Sequence, residues 1–220
     1  MDRGEIEAGA ARFARLTVKP LARRITEGAL TLISVGPQCC TAAVLKRLNL
    51  RHAAFPFDSL FSSLEMVRHC VADDFRTFLD PAEHLSTPLE LRPTPTLRRA
   101  THRFYERHCG LKDVFNHHEM PESRAHFERS VERFQSAPGP VFLHMVRDEP
   151  DRDAVRALRA TLRGPLLVVA VHPSGPGYGL SERNGVTVFR SRRDISPLGF
   201  YDLADEITFA TWLGTTLAGP

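Results

Sequence analysis

Residues 30–48 read LTLISVGPQCCTAAVLKRL, and the fold turns on this stretch. Leu30 to Val35 is a short apolar run with β-branched members, ended by Gly36-Pro37, which is the pattern of a buried strand stopping at a turn. From Thr41 onward the apolar positions fall at Val44, Leu45 and Leu48, which share one face of a helix. Strand, tight loop and helix in that order make half of a βαβ unit.

The same alternation continues downstream. PVFLHMV (140–146) and LLVVAV (166–171) read as further buried strands, VFNHH (114–118) as a strand candidate and Gly185 to Phe189 as a shorter one. Helices are expected over Pro121 to Gln135, with Phe127, Val131 and Phe134 inward, over Asp151 to Leu162, and over Ala204 to Leu217. FPFD (55–58) leads toward a helix with Leu60, Leu64, Val67 and Val71 on one face. The expected fold is α/β with three layers, a mainly parallel central sheet carrying helices on both faces.

Upstream, residues 1–28 are Arg-rich with scattered apolar positions, as in an arm or surface helix. Residues 29–220 are expected to form a single α/β domain. Prolines 81, 88, 93 and 95 interrupt any long element between Phe75 and Leu97, giving a Pro-rich loop near 80–97 that could cover a site.

Composition narrows the function. The chain has 220 residues, 42% hydrophobic and 25% charged, the balance of a folded domain. Its 29 basic and 26 acidic residues are interleaved, so bulk charge gives no support to nucleic-acid binding. Lys19, Lys46 and Lys112 are the only lysines. No apolar run approaches the roughly 18 residues of a membrane span, and the amino terminus lacks the apolar core of a signal peptide, so a cytoplasmic protein is expected. Cys39, Cys40, Cys70 and Cys109 show no CxxC pairing and are expected to be thiols. There is no HExxH and no zinc spacing, and HPSGPGYG (172–179) matches neither GxGxxG nor a P-loop, so no metal or cofactor is expected.

In parallel sheets ligands bind beyond the carboxyl ends of the strands, where Cys39, His118, Asp148 and His172 all fall. A cysteine at the first turn of a helix faces unpaired N–H groups and the positive end of the macrodipole, both of which favour thiolate. Gly36 allows the sharp turn, and Gln38 or nearby N–H groups could stabilise an oxyanion. Cys40, one step further into the helix, reads as packing, and Cys39 could do the same. A base is available in His117 or His118, of which at most one points into the site. An orienting carboxylate could be Asp148, Glu119 or Asp58. Asp58 could instead cap the following helix, and Arg147-Asp148 could be a surface ion pair.

Three patches, ISVGPQCCTAAVLKRLNLRHAAFPFDSLFSSLEMV (33–67), VFNHHEM (114–120) and HFERSVERF (126–134) followed by PVFLHMVR (140–147), resemble a bacterial family of papain-like cysteine peptidases without an assigned function. The resemblance implies a nucleophile at Cys39 and a histidine at His117 or His118, with His118 favoured. In many relatives Asp follows the histidine, whereas Glu119 stands here. A papain-like enzyme sets its cysteine helix against an antiparallel sheet, while the local pattern here is parallel. Strand, nucleophile and helix in that order also resemble esterases that open on Gly-Asp-Ser. The expected activity is a thiol-dependent hydrolase or acyltransferase acting on a small molecule, peptide or glycan, with Cys39, His118 and Asp148 catalytic and Gly36, Gln38, Asp58 and His117 around the substrate. The alternative is a non-catalytic protein that binds a carbohydrate or nucleotide-sugar in the same cleft.

Overall fold

A computed structural model describes residues 3–92, 94, 96–147, 151–171, 179–183, 186–191, 195–196, 199–200 and 203–217. Two helices, α1 (Arg3–Thr17) and α2 (Lys19–Thr26), precede strand β1 (Thr31–Ser34) and helix α3 (Cys40–Arg47). Helices α4 (Leu64–Ala72) and α5 (Arg76–Leu79) follow, then β2 (His84–Ser86), β3 (Arg99–His102), α6 (Arg103–Cys109) and β4 (Phe115–Asn116). The second half runs α7 (Arg124–Ser136), β5 (Pro140–Arg147), α8 (Arg152–Thr161), β6 (Leu166–Val171), β7 (Gly179–Arg183), β8 (Val186–Ser191), β9 (Ile195–Ser196), β10 (Gly199–Phe200) and α9 (Leu203–Leu217).

The central sheet has five strands in the order β1-β5-β6-β8-β7. Its first four are mutually parallel, and β7 closes the edge antiparallel to β8. Thr31 pairs with Pro140 and Ser34 with Leu143, so β1 and β5 end at a common level. Because successive side chains alternate between faces and both faces are covered, the central strands β5 and β6 are apolar at nearly every position. The α/β reading holds, and a small antiparallel sheet β2-β3-β4 lies beside the large one.

The two covering layers differ in content. On one face, Ile33, Val35, Phe142 and Val168 meet Met66 and Val67 of α4, Phe127, Val131 and Phe134 of α7, and Val155 and Leu158 of α8. Eight buried phenylalanines lie in that layer, with centroid separations of 5.2 Å for Phe75–Phe134, 5.0 Å for Phe115–Phe127 and 5.5 Å for Phe134–Phe142. On the other face, Leu32, Val141, Leu143, Met145, Leu167 and Val169 meet Val44 and Leu45 of α3 and Ala210 and Leu213 of α9.

Several elements depart from their expected form. The N-terminal segment contributes Ala14, Val18, Leu21 and Ile25 to the second layer, with α1 lying along α9. Their spacing of four, three and four is a narrow helical stripe that the intervening arginines disguise. The helix after FPFD starts only at Leu64, capped by Ser63 accepting from the Met66 N–H, while Leu60 forms a β-bridge with Phe115. Residues 75–92 are not a plain loop: they hold α5, β2 and two short 3-10 turns, the first capped by Asp80 ahead of Pro81. Among the described residues no helix is long and apolar enough to cross a membrane.

Candidate functional site

Cys39 is the N-cap residue of α3, on the loop that leaves the carboxyl end of β1, and it is partly exposed. Gly36 has φ +83°, and a Cβ there would come within 1.9 Å of the Ser62 Oγ, so the turn needs glycine on both counts. Three elements fix the loop from outside. The Thr41 hydroxyl donates to the Gly36 carbonyl at 3.2 Å, the Ser62 N–H to the Pro37 carbonyl at 3.0 Å, and the His144 Nδ1–H to the Val35 carbonyl at 3.2 Å.

The remaining cysteines are poorer nucleophile positions, although all four are thiols. Cys40 packs into the aliphatic layer, and burial pushes its thiol above the ordinary range. Cys70 lies 3.0 Å from the Tyr105 hydroxyl in the aromatic layer, where complete burial pushes it up strongly. Cys109 is partly exposed and is also raised, by desolvation and then by Glu65.

The histidine segment reaches the same region through residues 60–62. Phe61 N–H donates to the Val114 carbonyl at 3.0 Å, Leu60 bridges Phe115, and Ser62 holds Pro37, so one short segment ties the Cys39 loop to β4 and the residues after it. His118 is half-buried, with Nδ1 3.3 Å from the Ser123 Oγ and its ring against His126 at 5.1 Å and Phe127 at 4.9 Å. Burial, then His126 and His117, pull it down to about 4, so it is a neutral imidazole at neutral pH. His117 is exposed in the left-handed region with φ +67°.

The three carboxylate alternatives separate. Glu119 pairs with Arg92 at 2.5 Å and with Arg98 at 3.9 Å. Asp58 is buried, accepting from Arg51 Nε at 2.9 Å and Nη2 at 2.8 Å and from the Phe55 N–H at 2.9 Å, so it stitches residues 51–58 together; the cap of α4 is Ser63. Asp148 lies outside the described residues, as do His172 and most of HPSGPGYG. Gln38 is partly exposed beside Cys39.

His144 is the residue that sequence reasoning passed over. It sits in β5 on the face of Phe142, 2% exposed, at the end of the sheet where β1 gives way to the cysteine loop. A carbonyl can only accept, so Nδ1 carries the proton toward Val35 and Nε2 is left as an acceptor. Burial pulls this imidazole down to about 4, opposed by the Val35 hydrogen bond. The available signal was one imidazole inside the otherwise apolar run PVFLHMV.

The described residues offer a partly exposed thiol at a helix start, the N–H groups of α3's first turn, and neutral imidazoles at His118 and His144, a set of groups that suits attack on an acyl carbon. No curated protein and no solved structure matches the chain. A family model does match, over residues 30–139, which is half of the chain and takes in β1, the Cys39 loop, α3, the small sheet, the His118 segment and α7. By that match the chain belongs to the family described as "putative papain-like cysteine peptidase", a domain of unknown function.

Proposed function

We propose that the chain is a thiol-dependent hydrolase or acyltransferase with Cys39 as nucleophile and His118 as general base. The observation that carries this reading is the position of Cys39, partly exposed as the N-cap of α3 on a loop fixed by Thr41, Ser62 and His144. His118, neutral above about pH 4, takes the Sγ proton. The thiolate then attacks the acyl carbon, and the new oxyanion lies against the N–H groups of α3's first turn and the Gln38 amide. The imidazolium returns the proton to the leaving group as its bond to carbon breaks, leaving a thioester on Cys39. Water resolves the thioester in a hydrolase, and an acceptor nucleophile does so in an acyltransferase.

Asp148 is the orienting carboxylate in this reading, since Glu119 is engaged with Arg92 and Asp58 with Arg51. His144 is a positioning residue acting through the Val35 carbonyl. The His118–Cys39 hydrogen bond forms with substrate in place, as catalytic hydrogen bonds often tighten only then. Acyl derivatives of a small molecule, peptide or glycan are the substrate class, and a reducing, cytoplasmic setting would keep the four thiols intact.

Iodoacetamide labelling of the folded chain, followed by mass spectrometry of each cysteine, tests the proposal. Cys39 should alkylate first, well ahead of Cys109, with Cys40 and Cys70 last. An activated ester should leave an acyl adduct on Cys39 that His118→Ala slows and Cys39→Ala abolishes. Equal, slow labelling of all four thiols would sink the enzyme reading and leave a cleft that only binds a carbohydrate or nucleotide-sugar.

A further inference from the structure

At the opposite end of α3 from Cys39, about 12 Å along an eight-residue helix, lies an open cavity of about 400 Å³. Arg15, Lys19, Lys46 and Arg47 line it, with Ala22 and Leu48 as its small apolar floor. The four cations come from three separate helices, and two of the chain's three lysines are among them. Among the described residues no acidic side chain lines the space.

Two of these cations are held in place. Glu206 of α9, 2% exposed, pairs with Arg47 at 2.5 Å, and Arg15 Nε donates to the Arg47 carbonyl at 2.8 Å. Most arginines elsewhere in the described structure that pair with an acid do so one to one, as in Arg99–Asp113 or Arg124–Glu128. Here Glu206 pairs with Arg47, and among the described residues Arg15, Lys19 and Lys46 form no ion pair. Like charges converging on a concave space repel one another unless an anion enters.

We infer that this cavity binds a phosphorylated small molecule carrying two or more negative charges. Its volume lies in the range of small-ligand pockets. Arginine forks and lysine ammonium groups are the donors suited to phosphate oxygens, and their placement around one concavity suits a compact diphosphate better than an extended polymer. Among the described residues the lining provides no aromatic surface for a base, so recognition is through the phosphates.

Isothermal titration of the full chain with pyrophosphate, ADP and adenosine tests the site. Pyrophosphate and ADP should bind saturably at one site, more weakly as salt is raised, and adenosine should not bind. Lys19→Gln with Lys46→Gln should weaken pyrophosphate at least tenfold, while Lys112→Gln leaves it unchanged. Both lysines are exposed, so the ligand-free double variant should unfold at the wild-type temperature. Absence of saturable binding by either phosphate compound would overturn the assignment, as would a double variant that binds like wild type or adenosine binding as tightly as ADP.

Discussion

The two layers flanking the central sheet are packed by different means. The layer of α4, α7 and α8 is built from phenyl rings, and imidazoles are fitted among them: His102 stacks on Phe78 at 6.3 Å, His84 meets Phe115 at 5.1 Å, and His118 meets Phe127 at 4.9 Å. The layer of α1, α2, α3 and α9 is mainly aliphatic, and its buried charge is carboxylate, at Asp205 and Glu206. An imidazole has nearly the shape of a phenyl ring and tolerates edge and face contacts, so an aromatic layer can hold neutral proton acceptors. In the proposed site the thiol comes from the aliphatic side and its base from the aromatic side.

The largest effect should come from a ring deletion. Phe78 is fully buried, with Phe115 and Phe127 each 5.6 Å away, and Phe78→Ala should cost about 3 to 5 kcal/mol in urea unfolding. Leu45→Ala, in the aliphatic layer, should cost about 2 to 4 kcal/mol by the same loss of packing. If Leu45→Ala proves the more damaging, the ring layer is not the principal support.

Acid sharpens the contrast, because the buried imidazoles of one layer and Glu206 of the other respond with opposite sign. Burial lowers His102 and His144 from 6.5 to about 4, so the unfolded chain takes up protons more readily. Their contribution is fully present above pH 6.5 and is lost as pH falls toward 4, on the order of 3 kcal/mol for His144. Glu206 is pushed up from 4.5 by burial, against the pull of Arg47, so its carboxyl favours the folded state as pH falls. Urea midpoints between pH 7 and 4.5 should therefore decline in wild type, less steeply in His102→Phe and more steeply in Glu206→Gln. A decline unchanged by either substitution would separate pH sensitivity from the two layers.

A smaller effect tests the loop between them. Gly36→Ala should cost about 2 kcal/mol, from the left-handed backbone and the overlap with Ser62 Oγ. Adding Ser62→Ala removes the 1.9 Å overlap but leaves the φ of +83°, so part of the loss should return. Full recovery would mean that backbone strain contributes nothing.

Much of this was legible from residue patterns. Continuous apolar runs located β1, β5 and β6 because both of their faces are buried, and GPQC after β1 placed Cys39 at a helix start. The polar elements were harder to see: RATH of β3, RFYERHC of α6 and GLSER of β7 lack any period that separates them from loop. The cap offered as one reading of Asp58 belongs to Ser63, because the partner of Asp58, Arg51, lies on the preceding side and comes close only when residues 51–58 fold back. His144 was hidden because its partner is a backbone carbonyl from a strand remote in sequence.

That remoteness bears on how the protein is made. Strands β1 and β5 are neighbours in the sheet, yet the whole of 35–139 separates them, the longest loop closed by any pairing of the central sheet. A chain emerging amino end first displays Cys39 long before β5 exists to receive β1, and closing so long a loop is entropically costly and slow. Until His144 arrives, nothing holds the Val35 carbonyl and β1 has no strand beside it. A nascent chain therefore carries the Cys39 thiol on an unfinished edge, and the final form of its loop is tied to completion of the sheet.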